Sequence, residues 1–161
     1  MESSLNFAEK KEFGVVIFGV GRFGAKVVEM LDQHPELDYF GVDMDPDVVR
    51  HYQKRGKWMI YGDIKDPEIL ELVPYQKAKC AISTVPDKEY SLHLIRSLRK
   101  NGYQGKIYLT ARDEELEAEL NTCDICKDFE VLMPYQMAAK NFYNDFLKNL
   151  EQESQGRQAG N

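Results

Sequence analysis

Apolar runs bounded by turn residues alternate with stretches of helical period along most of this chain. "FGVVIFGV" (13–20) is continuous and β-branched, the pattern of a strand covered on both faces. In "AKVVEML" (25–31), Val27, Val28 and Leu31 fall on one helical face. "LDYFGVD" (37–43) predicts a second strand, and "DPDVVRHYQKRG" (45–56) a helix with Asp45 as N-cap and Pro46 at its first position. A third strand, "KWMIYGD" (57–63), is followed by another Asp-Pro helix start in "KDPEILELV" (65–73).

The second half keeps the rhythm. "KCAIST" (79–84), "GKIYLTA" (105–111) and "FEVLMP" (129–134) read as strands. "DKEYSLHLIRSLRKNG" (87–102), "DEELEAEL" (113–120) and "YQMAAKNFYNDFLKNL" (135–150) read as helices, and the polar end "EQESQGRQAGN" (151–161) as a disordered tail. Strands separated by helices imply βαβ units with right-handed crossovers. The predicted fold is α/β, a Rossmann-like doubly wound parallel sheet of six strands.

Gly19, Gly21 and Gly24 form G-x-G-x-x-G, a weak signal alone. Here they lie where the first strand ends and the first helix begins. At that place Gly19 permits the tight turn, Gly21 admits a phosphate to the backbone, and Gly24 lets helix and strand pack closely. Exposed N–H groups and the positive helix end then attract an anion. A second condition is an acidic residue closing the second strand, and Asp43 meets it; a carboxylate there accepts ribose hydroxyls and repels a 2′-phosphate. Together these features predict an adenine-nucleotide site.

Composition narrows the partners. A net charge of -6 and a pI near 5.2 argue against nucleic acid, which needs a basic face. Its 161 residues suit one domain and leave little length for a catalytic one. No apolar run is long enough to span a bilayer, and the first residues lack a signal-peptide core. Cys123 and Cys126 make a single C-x-x-C with no second pair for zinc, so no metal site is expected. His34, His51 and His93 fall at exposed-looking positions, none at a strand's carboxyl end. No catalytic residue is therefore assigned, and the chain reads as a switch rather than an enzyme.

The segments "VVIFGVGRFG", "GVDMDPDVV", "IYGDIKDPEIL", "AISTVPDKEYSL" and "LTARDEELEAEL" occur in an order that resembles the regulatory KTN/RCK (TrkA-N) domain of potassium channels, transporters and antiporters. The resemblance runs over roughly residues 12–147. "GRFG" and "DMDPD" are most similar to the cytosolic domain of Kef-type, glutathione-gated K+/H+ antiporters. It implies that Gly19, Val20, Gly21, Arg22, Phe23 and Gly24 hold a nucleotide phosphate, with Arg22 an added cation, and that Asp43, beside Met44, takes the ribose. Asp63 would accept from the adenine amine while the Ile64 N–H donates to the ring; the alternative for Asp63 is a turn-forming aspartate. Thr84 and Val85 would line the cleft at the strand-order switch, and Arg112 would point at the phosphates, its alternative being a helix-start partner for Asp113. Thr110 stands where Kef domains carry the first arginine of A-R-A-R-D, which counts against glutathione binding.

The resulting expectation has four segments: a linker at 1–11, a nucleotide-binding domain at 12–134, a crossover and dimerisation helix at 135–150, and the tail at 151–161. The ligand would be AMP, with NAD(H) the alternative. The partners would be a second copy, through the C-terminal helix, and the membrane part of a bacterial potassium efflux system, on the cytoplasmic face of the inner membrane. The rival readings are an NAD-dependent oxidoreductase, a methyltransferase, and the soluble nucleotide-binding subunit of a potassium uptake transporter.

Overall fold

A computed structural model describes residues 11–122 and 128–160; Cys123 and Cys126 lie outside them. The strands are β1 (Val15–Phe18), β2 (Tyr39–Asp43), β3 (Trp58–Tyr61), β4 (Cys80–Ser83), β5 (Lys106–Thr110) and β6 (Glu130–Leu132). The helices are α1 (Arg22–Leu31), α2 (Pro46–Gln53), α3 (Pro67–Leu72), α4 (Lys88–Lys100), α5 (Glu114–Asn121) and α6 (Pro134–Ala159). All six strands are parallel, in the order β3-β2-β1-β4-β5-β6. The expected doubly wound sheet is what the chain forms.

Alternation along each strand splits the core in two. Val16, Phe18, Phe40, Val42, Ala81, Ile107 and Leu109 face α3, α4 and α5, where Leu70, Leu94, Leu98, Leu116 and Leu120 meet them. Ile17, Tyr39 and Ile82 face α1 and α2, packing on Val28 and Val49. Period-2 side chains on a doubly covered sheet require this division. Both Asp-Pro helix starts behave as read: Asp45 accepts the Asp47 N–H at 2.8 Å and Asp66 the Glu68 N–H at 3.0 Å, with Pro46 and Pro67 leading their helices.

Chain order reverses between β1 and β4, the neighbours at the centre of the sheet. Connections leave them toward opposite edges, so a crevice opens beyond their carboxyl ends. At the other end of the sheet, Tyr103 closes the α4–β5 connection. Its ring is fully buried and edge-on to Tyr75, and its hydroxyl donates to the Ala78 carbonyl at 3.2 Å.

The last helix departs from expectation. It continues through Ala159, into the segment where polar composition predicts a disordered tail. Glu151, Gln152, Glu153, Arg157, Gln158 and Ala159 are good helix formers, and among 151–159 only Gly156 opposes them. An established helix also extends more easily than a new one nucleates.

Tyr103→Phe should lower stability by about 1 kcal/mol, the worth of one hydrogen bond. Tyr103→Ala should cost about 3–5 kcal/mol by opening a cavity. Urea titration reads both as a lowered midpoint at unchanged slope.

Candidate functional site

The turn after β1 is built around contacts too close for any side chain. Gly19 has φ +87°, and a Cβ there would meet Val85 Cγ2 at 2.7 Å. A Cβ on Gly24 would lie 2.4 Å from the Gly19 carbonyl oxygen, which already accepts the Thr84 hydroxyl at 2.7 Å. Gly21 differs: a Cβ there would meet nothing within 4 Å, so this glycine opens onto the crevice. Gly21 is also the N-cap of α1 and offers no side-chain acceptor. The first N–H groups of α1 therefore face the crevice uncapped, the arrangement that receives an anion. Arg22 and Phe23 line the opening beside them.

Asp43 closes β2 next to this turn. One carboxylate oxygen accepts the Val20 N–H at 2.6 Å and the other the Asp45 N–H at 2.8 Å. Two backbone donors thus fix its orientation, and each oxygen keeps a further lone pair for a hydroxyl. Met44 stands next to it, more than half exposed. The loop after β3 is tied to the same place, since the Gly62 N–H donates to the Asp43 carbonyl at 3.0 Å. Within that loop Asp63 accepts the Lys65 N–H at 2.9 Å, the turn-forming role. Ile64 points into the core and is fully buried.

The opposite wall comes from the connections after β4 and β5. Thr84, Val85, Pro86, Thr110, Ala111 and Arg112 line a cleft of about 780 Å3 together with Gly19, Gly21, Asp43 and Met44. That volume falls in the usual range for small-molecule sites, roughly 300–1,000 Å3. Arg112 makes the contact of a helix-start partner and also lies on the cleft wall. Its Nε donates to Asp113 at 3.2 Å while its side chain borders the cleft. Val20, Gly24, Asp63 and Ile64 lie behind the lining; Val20 and Gly24 act through the turn's backbone, and Asp63 and Ile64 sit on the adjoining loop.

Two parts of the lining escape sequence reasoning. Tyr90, on the first turn of α4, is 8% exposed and lines the cleft. Burial, with the Asp63 and Asp43 carboxylates nearby, raises its hydroxyl well above the ordinary tyrosine range. The signal available was its position one turn after the Asp87 cap, whose carboxylate accepts the Tyr90 N–H at 2.8 Å. Pro134, Tyr135 and Ala138, from the first turn of α6, close the far side. Nothing local marks them, because the sheet's order alone brings α6 to this crevice.

The TrkA-N domain family matches residues 15–129. The Alkalimonas amylolytica protein assigned as the K(+) efflux antiporter KefB is 31% identical over 106 residues, 66% of this chain. The glutathione-regulated potassium-efflux protein KefC of Cronobacter sakazakii is 30% identical over 99 residues, 62% of this chain. The aligned region spans only 16% of either relative. Among solved structures, the TrkA-N domain of the Escherichia coli inner membrane protein ybaL superposes with a TM-score of 0.69 at 20% identity, over 81% of this chain and 93% of its own. The Shewanella denitrificans Kef C-terminal domain in its AMP-bound form gives 0.66 at 21%, over 84% and 80%. The GsuK channel bound to NAD gives 0.63 at 17%, over 77% and 22%. At these identities the structural likeness establishes a common fold.

The glycines should separate cleanly in ligand-free protein. Gly21→Ala, with open space around it, should leave stability within about 0.5 kcal/mol of wild type. Gly24→Ala should be severely destabilising, because the Gly19 carbonyl cannot move without losing Thr84. Asp43→Ala removes the acceptor of two N–H groups and should cost about 2 kcal/mol. Thermal denaturation of the three variants checks the order.

Proposed function

The chain belongs to the TrkA-N domain family, and on that premise we propose that it binds an adenine nucleotide and acts as the regulatory switch of a potassium efflux system. AMP is the ligand proposed, with NAD(H) second, since both share the adenosine and first phosphate. The observation that carries the reading is the doubly anchored Asp43 carboxylate beside the open, uncapped start of α1. The helix start and Arg22 would take the phosphate, and Asp43 the ribose diol. Asp63 and the Ile64 N–H would take the adenine edge, while Thr84 and Val85 would form the floor. The AMP bound by the Kef C-terminal domain of Shewanella and the NAD bound by GsuK support the ligand class.

Hydride chemistry would need a proton donor; the described residues lining the cleft include no histidine, lysine or cysteine. Thr110 hydrogen-bonds to the Ser83 carbonyl at 2.8 Å, a structural role that does not replace a glutathione-binding arginine.

The second copy is proposed to pack on α6. No residue of that helix is buried, and Phe142, Tyr143, Phe146, Leu147 and Leu150 are all exposed, Phe142 at 70%. Apolar surface of that extent is unusual on a free helix. A symmetric pair would provide the two-state interface through which nucleotide binding biases an attached transport domain. No described helix is long and apolar enough to cross a membrane; the transport domain would belong to the same or an associated chain.

AMP or NADH at about 100 times its dissociation constant should add about 2.7 kcal/mol of stability, a rise of roughly 5–10 °C in melting temperature. NADPH should protect much less, because Asp43 repels its 2′-phosphate. Gly21→Ala, stable without ligand, should lose the AMP response. No shift with any adenine nucleotide would remove the site from consideration.

Deleting residues from Tyr143 onward should convert a dimer to a monomer in light scattering while AMP protection persists. A full-length chain that is monomeric at high concentration would disprove the pairing.

A further inference from the structure

Resting on the adenine reading above, we infer that His93 is a positioning residue that sets base selectivity by holding the Ile64 carbonyl. The sequence places His93 at an exposed-looking helical position; the structure half-buries it on α4, where its Nε2–H donates to the Ile64 carbonyl at 3.1 Å. Ser97, one turn further on, approaches the same nitrogen at 3.4 Å. A carbonyl accepts only, so the contact with Ile64 requires a proton on Nε2.

Besides His93, the Gly62 N–H bond to the Asp43 carbonyl at 3.0 Å ties the start of this loop to β2, and the remaining restraints on the Asp63–Ile64 turn are short-range or apolar. Asp63 accepts from Lys65 through its side chain at 2.9 Å and from Asp66 through its carbonyl at 3.0 Å. The Ile64 side chain is sunk in the core. Among the described side-chain bonds to this turn, the one from a distant element is His93, 29 residues away. A peptide unit is planar, so fixing the Ile64 carbonyl fixes the plane it shares with the Lys65 N–H, the group that orients the Asp63 carboxylate. The Ile64 N–H meets no backbone acceptor among the described residues, so it could donate to the base as proposed above.

Tyr90, three residues earlier on α4, lines the nucleotide cleft, while His93 borders a second cleft with Pro67, Leu70 and Ser97. One helix therefore contacts the nucleotide cleft and the back of the loop proposed to read the base. Adenine presents an amine and a ring acceptor to Asp63 and the Ile64 N–H. Hypoxanthine presents a carbonyl and a ring N–H, the reverse at both positions. Selectivity then depends on how rigidly these two groups are aimed.

The test compares AMP and IMP binding by calorimetry in the full chain, for wild type, His93→Leu and His93→Gln. His93→Leu should reduce the preference for AMP over IMP by roughly tenfold, the worth of one well-made hydrogen bond. His93→Gln keeps a side-chain N–H donor and should retain most of the preference. Ligand-free amide spectra supply a readout independent of the nucleotide: His93→Leu should shift the Ile64 and Lys65 amides more than those of Gly19 to Gly21. Undiminished preference in His93→Leu, or unmoved Ile64 and Lys65 amides, overturns the role of His93 while leaving the nucleotide site standing. A wild-type chain that binds both nucleotides equally overturns the adenine reading as well.

Discussion

The crevice depends on how closely three backbone segments approach one another at Gly19, Gly24 and Thr84. The Thr84 hydroxyl reaches the Gly19 carbonyl, and α1 passes over that carbonyl with no room for a methyl group. This contact ties β1 and its turn to the end of β4 at the point where chain order reverses. Were it looser, the α1 start would tilt away, and the Val20 N–H would leave the Asp43 carboxylate. The polar features of the site thus follow from a steric one.

Much of this was legible from the chain. The continuous apolar strands and the Asp-Pro helix starts are local signals, and each produced the element expected of it. Asp43 was legible because its place after β2 is set by the same periodicity that defines the strand. Tyr90 and the first turn of α6 were not, since they reach the cleft only through the strand order. His93 was misplaced for a related reason. Helical periodicity gave it an exposed-looking position, yet the Ile64 carbonyl on a distant loop draws it partly inward.

The helical end of α6 shows the limit of composition from another side. Polar residues without an apolar stripe suggest disorder when read alone. Attached to an existing helix they need no new nucleus, and the helix runs on through Ala159. The TrkA-N family match ends at residue 129, before α6 begins.

The length of α6 carries a mechanical consequence. Its 26 residues make a rod of about 39 Å, and the near end is part of the cleft wall through Pro134, Tyr135 and Ala138. A helix resists bending over that span, so motion at one end is transmitted as rotation. Tilting the rod by roughly 5° about its base carries the far end some 3 Å, by the same arithmetic of rise per residue. A displacement at the base too small to disturb the sheet would arrive at the tip as a shift the size of a side-chain contact. A rod of this length with its base in the cleft wall has the geometry of a lever.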